Sequence, residues 1–308
     1  MAEIHSFLDF LKLLFVTSLS QLIWLLGLFF IFGLILYFLA RSTRITFVKS
    51  AGIKTDMVFT GWIGTPVHEL GHAVFCILFG HKILEMKLYS PNSKDGSLGY
   101  VNHAYNSKSI YQNIGNFFIG AGPIIFGSLA LYVLSYYLVP EMRVAFSDIE
   151  SESQMFVQLL QGQYSGLLAA FLDTAKLTLS SLFARENLSD FRFWIFLYLA
   201  ISISSHMQLS PPDIKGAKGG LISIVILIFI LNLFILGLEA TGLSVHFGEW
   251  WKYIKLESYA TSINWFLGVM ASLFVFATII SGLNFVLSYA VLTVYNIFRG
   301  KGFINLLG

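Results

Sequence analysis

Long apolar runs, separated by shorter polar segments, dominate this chain. Six of them approach or exceed the roughly 20 apolar residues that a helix needs to cross the hydrocarbon core of a bilayer. The last run is too long for one perpendicular span, so it predicts either one long tilted helix or a helix broken near Ser281-Gly282. The pattern therefore predicts an all-α polytopic membrane protein with about six transmembrane helices. The runs are residues 16–39, 58–79, 114–139, 193–209, 221–238 and 263–297.

Two polar segments interrupt this pattern. The first, residues 81–109, contains the turn signals Pro91-Asn92-Ser93 and Asp95-Gly96, and the stretch from Gly99 to His103 is typical of a short strand. A small membrane-associated β-hairpin is therefore expected after the second apolar run. The second segment, residues 140–192, has a helical pattern around residues 155–183, which predicts an interfacial or partly buried helix pair.

Composition supports a membrane protein and excludes several other classes. Apolar residues make up 56% of the chain and charged residues 12%, about half the charge of an average soluble domain. No basic arm or basic-aromatic patch is present, so no nucleic-acid partner is expected. No sequence repeat is found, and residues 1–308 are predicted to form a single membrane domain. Basic residues divide almost equally between the two sides of this topology, so charge does not determine its orientation.

The second apolar run contains the motif His68-Glu69-Leu70-Gly71-His72. Histidines at positions i and i+4 lie on one face of a helix, where both imidazoles reach one tetrahedral metal ion. A glutamate next to the first histidine then lies beside the open coordination position. Three such polar side chains are costly in hydrocarbon unless they have a function. The motif therefore predicts a zinc site within the membrane.

A catalytic zinc ion needs a third protein ligand, and several residues are candidates. The best is Asp213, because Pro211-Pro212 ends the fourth run and the glycines after Asp213 permit an irregular link to the fifth. His206 is either an alternative ligand or a residue that orients one. Glu186 is similar to the glutamate ligand of another class of membrane-embedded zinc proteases. Cys76, the single cysteine, is either a thiolate ligand or a small packing residue.

Taken together, these motifs resemble those of the intramembrane zinc metalloproteases of the site-2 protease type. That family places H-E-x-x-H on a membrane helix, follows it with a membrane-associated hairpin and a Gly-Pro span, and takes its third ligand from a later L-D-G-type motif. The resemblance covers roughly residues 60–238, within a predicted protease core of residues 58–238. The spans at residues 16–39 and 263–297 are accessory. The matching residues are His68, Glu69 and His72, the hairpin at residues 96–103, Ala121-Gly122-Pro123, and Asp213 with Gly216.

The chain departs from the family pattern at two positions. The Gly-Pro motif of the family usually continues to an asparagine three residues after the proline, and this chain has Phe126 there. Asn113 or Asn116, earlier in the same run, would have to substitute for that polar group. Asp213 is followed by Ile214-Lys215-Gly216 rather than directly by glycine. The sequence therefore predicts a divergent member of the family.

The resemblance implies a zinc-dependent intramembrane endopeptidase that cleaves a transmembrane protein substrate in or near its membrane segment. His68, His72 and Asp213 would hold one catalytic Zn²⁺, and Glu69 would act as general base and then general acid. The hairpin would hold the unwound substrate by strand addition. Tyr100 and His103, which belong to it, are candidates for a role in the site, but a structural role is favoured for each.

The resemblance also implies a location, and it leaves other functions open. The protein is expected to be an integral, multi-pass protein of the cell membrane, with its active site toward the cytosol and the lipid bilayer as its second partner. One alternative is a catalytically idle relative that binds zinc and acts as a membrane scaffold or chaperone, although the intact Glu69 argues for activity. A transporter with a metal site is disfavoured, because no pair of matching interrupted helices appears in two halves of the chain.

Overall fold

The computed structural model describes residues 6–91, 98–143, 146 and 167–305. These residues form nine α-helices and one two-stranded sheet. A π-helical turn, Met57–Gly61, leads into the third helix, and two 3-10 helices, Leu243–Ile254 and Leu256–Tyr259, precede the last one. The elements are α1 (Phe7–Ala51), α2 (Ile53–Asp56), α3 (Trp62–Leu78), β1 (Lys82–Lys87), β2 (Tyr100–Ala104), α4 (Ile110–Leu138), α5 (Leu167–Leu182), α6 (Arg185–Leu188), α7 (Phe191–Ser205), α8 (Pro211–Ala240) and α9 (Ala260–Phe298).

Four helical regions of the described chain are long and apolar enough to cross a membrane. They are α1, α4, α8 and the region Leu243–Phe298, which contains α9. The other two predicted spans correspond to α3 and α7, which have 17 and 15 residues and are shorter than a full crossing. The structure is thus that of a mainly helical membrane protein with a small sheet.

Serine and aspartate caps explain where several helices begin. Their side-chain oxygens accept a backbone N–H that has no partner within the helix. Ser6 caps α1, Ser109 caps α4, Asp190 caps α7 and Ser210 caps α8. Each cap immediately precedes an apolar helix, so short polar segments determine the starts of these helices.

Several helix bounds differ from the expected ones. The first helix extends well beyond residues 16–39 and ends at Ala51, just before Gly52, whose φ of 88° an L side chain rarely adopts. The last apolar run forms one unbroken helix of 39 residues. Of the predicted helix pair around residues 155–183, the structure describes α5 from Leu167 onward, and the earlier part lies outside the described residues.

The expectation of an irregular link after Asp213 is wrong. Helix α8 begins at Pro211, so Asp213 lies in its first turn and the following glycines are helical. Proline favours the first helical position because its missing N–H has no partner there in any case. The two prolines therefore start this helix as well as ending the segment before it.

The two strands form an antiparallel hairpin between α3 and α4. Lys82 pairs with Ala104 and Lys87 with Tyr100, with an irregularity in the register between Ile83 and Glu85. The sheet has two strands in the part of the chain that the structure describes, so β2 pairs with β1 along one edge and leaves its other edge without a strand partner. The connecting residues 92–97, which include the expected hairpin position Gly96, lie outside the described residues.

Helix α4 packs against both helices that carry the predicted ligands. At Gly71 of α3, a Cβ atom would lie 2.7 Å from the carbonyl oxygen of Gly122 in α4. At Gly220 of α8, a Cβ atom would lie 2.1 Å from the backbone nitrogen of Phe117 in α4. Both approaches are too close for any side chain. Glycines therefore allow α3 and α8 to contact the backbone of one central helix.

Helices α1 and α9 pack along each other and complete the bundle. The rings of Phe29 and Phe274 meet edge to face at 5.6 Å. Buried polar groups join α1 to α8 as well, since the Asn232 amide of α8 donates to Ser18 at 3.1 Å and to Gln21 at 2.8 Å. Interhelical hydrogen bonds of this kind help to hold membrane helices together where lipid offers no alternative partner.

Candidate metal centre

Three predicted ligands, on two helices, meet at one point. The Nε2 atoms of His68 and His72 are 3.3 Å apart. One carboxylate oxygen of Asp213 lies 3.2 Å from Nε2 of His72, and the other lies 3.7 Å from Nε2 of His68. One ligand atom from each residue lies within 4.8 Å of the others. The structure thus brings together the two motif histidines and the favoured third ligand.

A proline in α4 explains how His72 is oriented. Pro123 has no N–H, so the carbonyl of Ile119, four residues earlier, lacks its usual helical donor. Nδ1 of His72 lies 2.7 Å from that carbonyl oxygen and donates to it. The Gly-Pro motif therefore supplies both the close helix contact and the acceptor that aims Nε2 of His72 at the other ligands.

His68 is oriented in the same way by the end of α7. Its Nδ1 lies 2.7 Å from the backbone carbonyl oxygen of His206, the residue that follows the last turn of that helix. Carbonyls at a helix C-terminus have no partner within the helix, so this acceptor is available. A hydrogen on Nδ1 in both rings leaves both Nε2 atoms as lone-pair acceptors directed into the site.

Asp213 is held in place by the start of its own helix. Its carboxylate accepts the Ser210 backbone N–H at 2.6 Å, and the Ser210 hydroxyl accepts the Asp213 backbone N–H at 3.4 Å. This reciprocal pair is a capping box. The S-x-x-D spacing before an apolar run was visible in the sequence and would have placed Asp213 on the helix. The capping box thus fixes the carboxylate that faces the histidines.

The donor set fits a divalent cation. Two imidazole nitrogens with lone pairs and a carboxylate repel one another at 3.2–3.7 Å unless positive charge lies among them. Zn–N bonds of about 2.0–2.1 Å at a tetrahedral angle place two nitrogens about 3.3 Å apart, which is the separation of these Nε2 atoms. Two imidazoles and one carboxylate are also ligands that zinc accepts in catalytic sites. The three residues therefore have the chemistry and the spacing of a zinc site.

Glu69 lines the cavity at this site but does not belong to the group of three proposed ligands, His68, His72 and Asp213, which we call the ligand group. It is 6% exposed and lies against the hairpin, where a Cβ atom at Gly99 would be 2.8 Å from its Cγ atom. The cavity has a volume of about 830 Å³ and is also lined by His68, His72 and Asp213. Glycine at position 99 lets the hairpin approach the carboxylate closely. Glu69 thus shares the cavity with the three proposed ligands and contacts the residue that precedes β2.

The other candidate residues have different places. The His206 ring is buried, donates to the Ser202 carbonyl and is not part of the ligand group, so His206 assists through its backbone alone. Cys76 is fully buried as a packing residue, and Glu186 is exposed on α6. Asn113 bonds to the loop before α4, whereas Asn116 lines the cavity.

A second histidine pair ties the hairpin to the end of α3. Nδ1 of His81 lies 3.0 Å from Nδ1 of His103, and Nε2 of His81 lies 2.8 Å from the Gln112 carbonyl. His81 therefore donates from Nε2 and accepts at Nδ1 from His103. Burial, and then the nearby His81 and His72 rings, hold the pKa of His103 below its ordinary value. This pair accommodates one proton between its two facing nitrogens.

Acid is expected to loosen this hairpin. Because the folded pKa of His103 is lowered, the unfolded segment binds a proton more readily, and the stability of the hairpin falls as the pH drops below about 6.5. Hydrogen exchange of residues 100–104, corrected for intrinsic rates between pH 8 and pH 5, should show less protection at the acid end. The variant His103→Gln should lose most of this dependence. An identical pH response in the two proteins would contradict the role of the pair.

Comparison of the chain with protein-family models, with curated proteins and with solved structures finds no match.

Proposed function

We propose that the protein is a zinc-dependent intramembrane endopeptidase of the site-2 protease type. The observation that carries this proposal is the arrangement of the cavity, which is lined together by a buried carboxylate, Glu69, by the three-residue ligand group and by a strand with a free edge. Zinc binding alone requires the ligands and not Glu69. Peptide hydrolysis by a metallopeptidase uses all three parts, which are a metal, a general base and a place for an extended peptide.

His68, His72 and Asp213 would hold the zinc ion. A zinc ion at such a site polarises the scissile carbonyl and lowers the pKa of water toward 7. Glu69 takes a proton from the attacking water as the new carbon–oxygen bond forms. It then passes that proton to the amide nitrogen as the carbon–nitrogen bond breaks, so that a carboxylate and an amine result.

The free edge of β2 supports binding of an unwound substrate. A transmembrane helix uses its amides in i to i−4 hydrogen bonds, so its scissile bond must leave the helix before attack. Residues 98–103 line the cavity continuously, and their free edge can replace the lost hydrogen bonds by strand addition. Asn116, which also lines the cavity, would supply the polar group that Phe126 does not provide.

The proposed topology has six crossings, with α3 and α7 as the two short ones. Their lengths suit helices that end at a water-filled cavity within the membrane, where non-helical backbone such as residues 206–210 is tolerated. The hairpin and the start of α8 lie at the same end of the bundle, which we assign to the cytosolic side of the cell membrane. The substrate is a transmembrane protein that reaches the cavity from the bilayer.

Removal of zinc tests this proposal directly. Purified protein in detergent should cleave a transmembrane test peptide, lose that activity when a chelator removes the metal, and regain it when one equivalent of zinc is added. Metal analysis should give one zinc per chain before and after this cycle. A protein that binds one zinc and cleaves no member of a broad library of transmembrane peptides would instead be a scaffold or chaperone.

A further inference from the structure

We propose that Arg44 binds a carboxylate group of the substrate at one end of the catalytic cavity. This inference rests on the proposed function, because it assumes that a peptide occupies the cavity. Arg44 belongs to α1, a helix outside the predicted protease core. It nevertheless lines the same cavity as the ligand group. No other lysine or arginine is among the described residues that line this cavity.

The length of α1 explains how its side chain reaches the site. A helix of 45 residues, with a rise of about 1.5 Å per residue, is far longer than the roughly 30 Å hydrocarbon core. The first apolar run ends at Leu39, so the turns that carry Arg44 extend beyond it. The side chain of Arg44 is 35% exposed there, and a guanidinium can stay charged at a wet cavity wall.

The Arg44 guanidinium forms an ion pair but no hydrogen bond with the residues that the structure describes. Its nearest acidic neighbour is Asp56, with Nε 3.5 Å from Oδ2 of the fully buried carboxylate. That oxygen has no hydrogen-bond partner, and the other carboxylate oxygen accepts from the Thr60 hydroxyl at 2.9 Å. Asp56 thus faces the Nε atom of the guanidinium at ion-pair distance and leaves the two terminal amino groups to a ligand. Such a fork matches the two oxygens of a carboxylate.

The position of Arg44 relative to β2 indicates which part of a peptide it meets. A Cβ atom at Gly61 would lie 3.5 Å from Leu98, two residues before β2, and 3.6 Å from the ring of Tyr89. Asp56, the acidic neighbour of Arg44, precedes Met57, whose carbonyl accepts the Tyr89 hydroxyl at 2.9 Å. The residue after Tyr89, Ser90, donates its backbone N–H to the Leu98 carbonyl at 2.6 Å. Arg44 therefore lies near the Leu98 end of the strand edge. A peptide paired along this edge would direct one of its ends toward the guanidinium.

Two sources of carboxylate have the required chemistry. One is a glutamate or aspartate side chain near the scissile bond, and the other is the free C-terminus of a chain shortened by an earlier cleavage. Both would be held by the same bidentate contact. A substrate with neither group would lack this contact, so Arg44 would select among transmembrane segments.

Binding of hydroxamate peptides tests the proposal without requiring cleavage. The probes are tetrapeptides with a zinc-binding hydroxamate. In the first set, glutamate occupies each position in turn and the C-terminus is an amide. In the second set, glutamine replaces glutamate and the C-terminus is a free carboxylate. The neutral reference has glutamine and a C-terminal amide. Calorimetry on the zinc-loaded protein in detergent should show at least one acidic probe binding about tenfold more tightly than the neutral reference. The set that gains affinity identifies the source of the carboxylate.

The variants separate recognition from structural support. Because Arg44→Gln alone leaves Asp56 buried without a counter-charge, the main variant is the charge-neutral pair Arg44→Gln/Asp56→Asn. It should bind the neutral reference as before and lose the preference for acid. Asp56→Asn alone should keep that preference, since Arg44 remains.

The proposed role of Arg44 would be overturned if the unaltered protein bound every acidic and neutral probe equally, or if the preference for acid survived in the double variant. A failure to bind the neutral hydroxamate would overturn both this role and the proposed metal centre. If the acid preference depends on Arg44 but no peptide is cleaved, the protease proposal fails and the carboxylate site stands.

Discussion

Replacement of Glu69 with glutamine is expected to lower the rate of peptide cleavage by about 10²- to 10⁴-fold while one zinc per chain remains bound. The amide has nearly the shape of the carboxylate but cannot accept the proton of the attacking water. The ligand group does not include Glu69, so metal content should not change. Product formation measured by mass spectrometry, together with elemental analysis of the same sample, checks both parts.

Glu186 provides a matched control for this experiment. It lies exposed on α6 and lines no part of the cavity, so Glu186→Gln should keep full activity. Undiminished cleavage by a zinc-bound Glu69→Gln protein would refute the general-base role and with it the proposed protease. Loss of zinc in the Glu69→Gln protein would instead show that Glu69 supports the metal site. Any loss of activity would then be explained by the missing metal.

Replacement of Asp213 with alanine is expected to weaken zinc binding by more than 100-fold. Loss of a residue that merely orients a ligand typically weakens metal binding about 10- to 100-fold, and Asp213 is placed as a ligand itself. Its two oxygens lie 3.2 and 3.7 Å from the histidine Nε2 atoms. Competition with a chelator of known affinity measures the change. Stoichiometric, tight zinc in Asp213→Ala would exclude this ligand assignment.

Two further variants separate the ligand from the helix cap. Asp213 also accepts the Ser210 N–H, so its removal weakens the start of α8 by about 0.5–2 kcal/mol as well. Ser210→Ala removes the other half of that capping box while keeping the carboxylate, and it should retain far more zinc than Asp213→Ala. His206→Ala should also retain zinc, because His68 bonds to the backbone carbonyl of residue 206 and not to its ring.

The sequence was sufficient for those parts of the site that depend on local spacing. The i, i+4 histidines lie together because the helix repeat places them on one face, and the apolar runs locate α1, α4 and α8 because crossing hydrocarbon requires such length. Strand β2 is predicted in the same way, from turn residues followed by a short alternating segment. Each of these inferences needs only neighbouring residues.

The remaining parts of the site depend on contacts between distant segments. Pro123 indicates from the sequence that the Ile119 carbonyl lacks its helical donor. That His72 is the residue that donates to it depends on the close approach of α3, which the sequence does not reveal. The place of Arg44 in the cavity depends on how far α1 continues past its apolar run. The prolines and glycines near Asp213 predict a break in the helix, but the capping box outweighs them and α8 begins at Pro211.

The glycine contacts on α4 have a consequence for surveys of sequence variation. Gly71 and Gly220 touch no substrate, yet even alanine at either position would place a methyl group within 3 Å of the backbone of α4. A mutational scan scored by growth or activity would therefore rank them beside His68 and His72. A parallel scan of protein abundance would distinguish the two groups, since ligand variants would still accumulate while the glycine variants would be degraded.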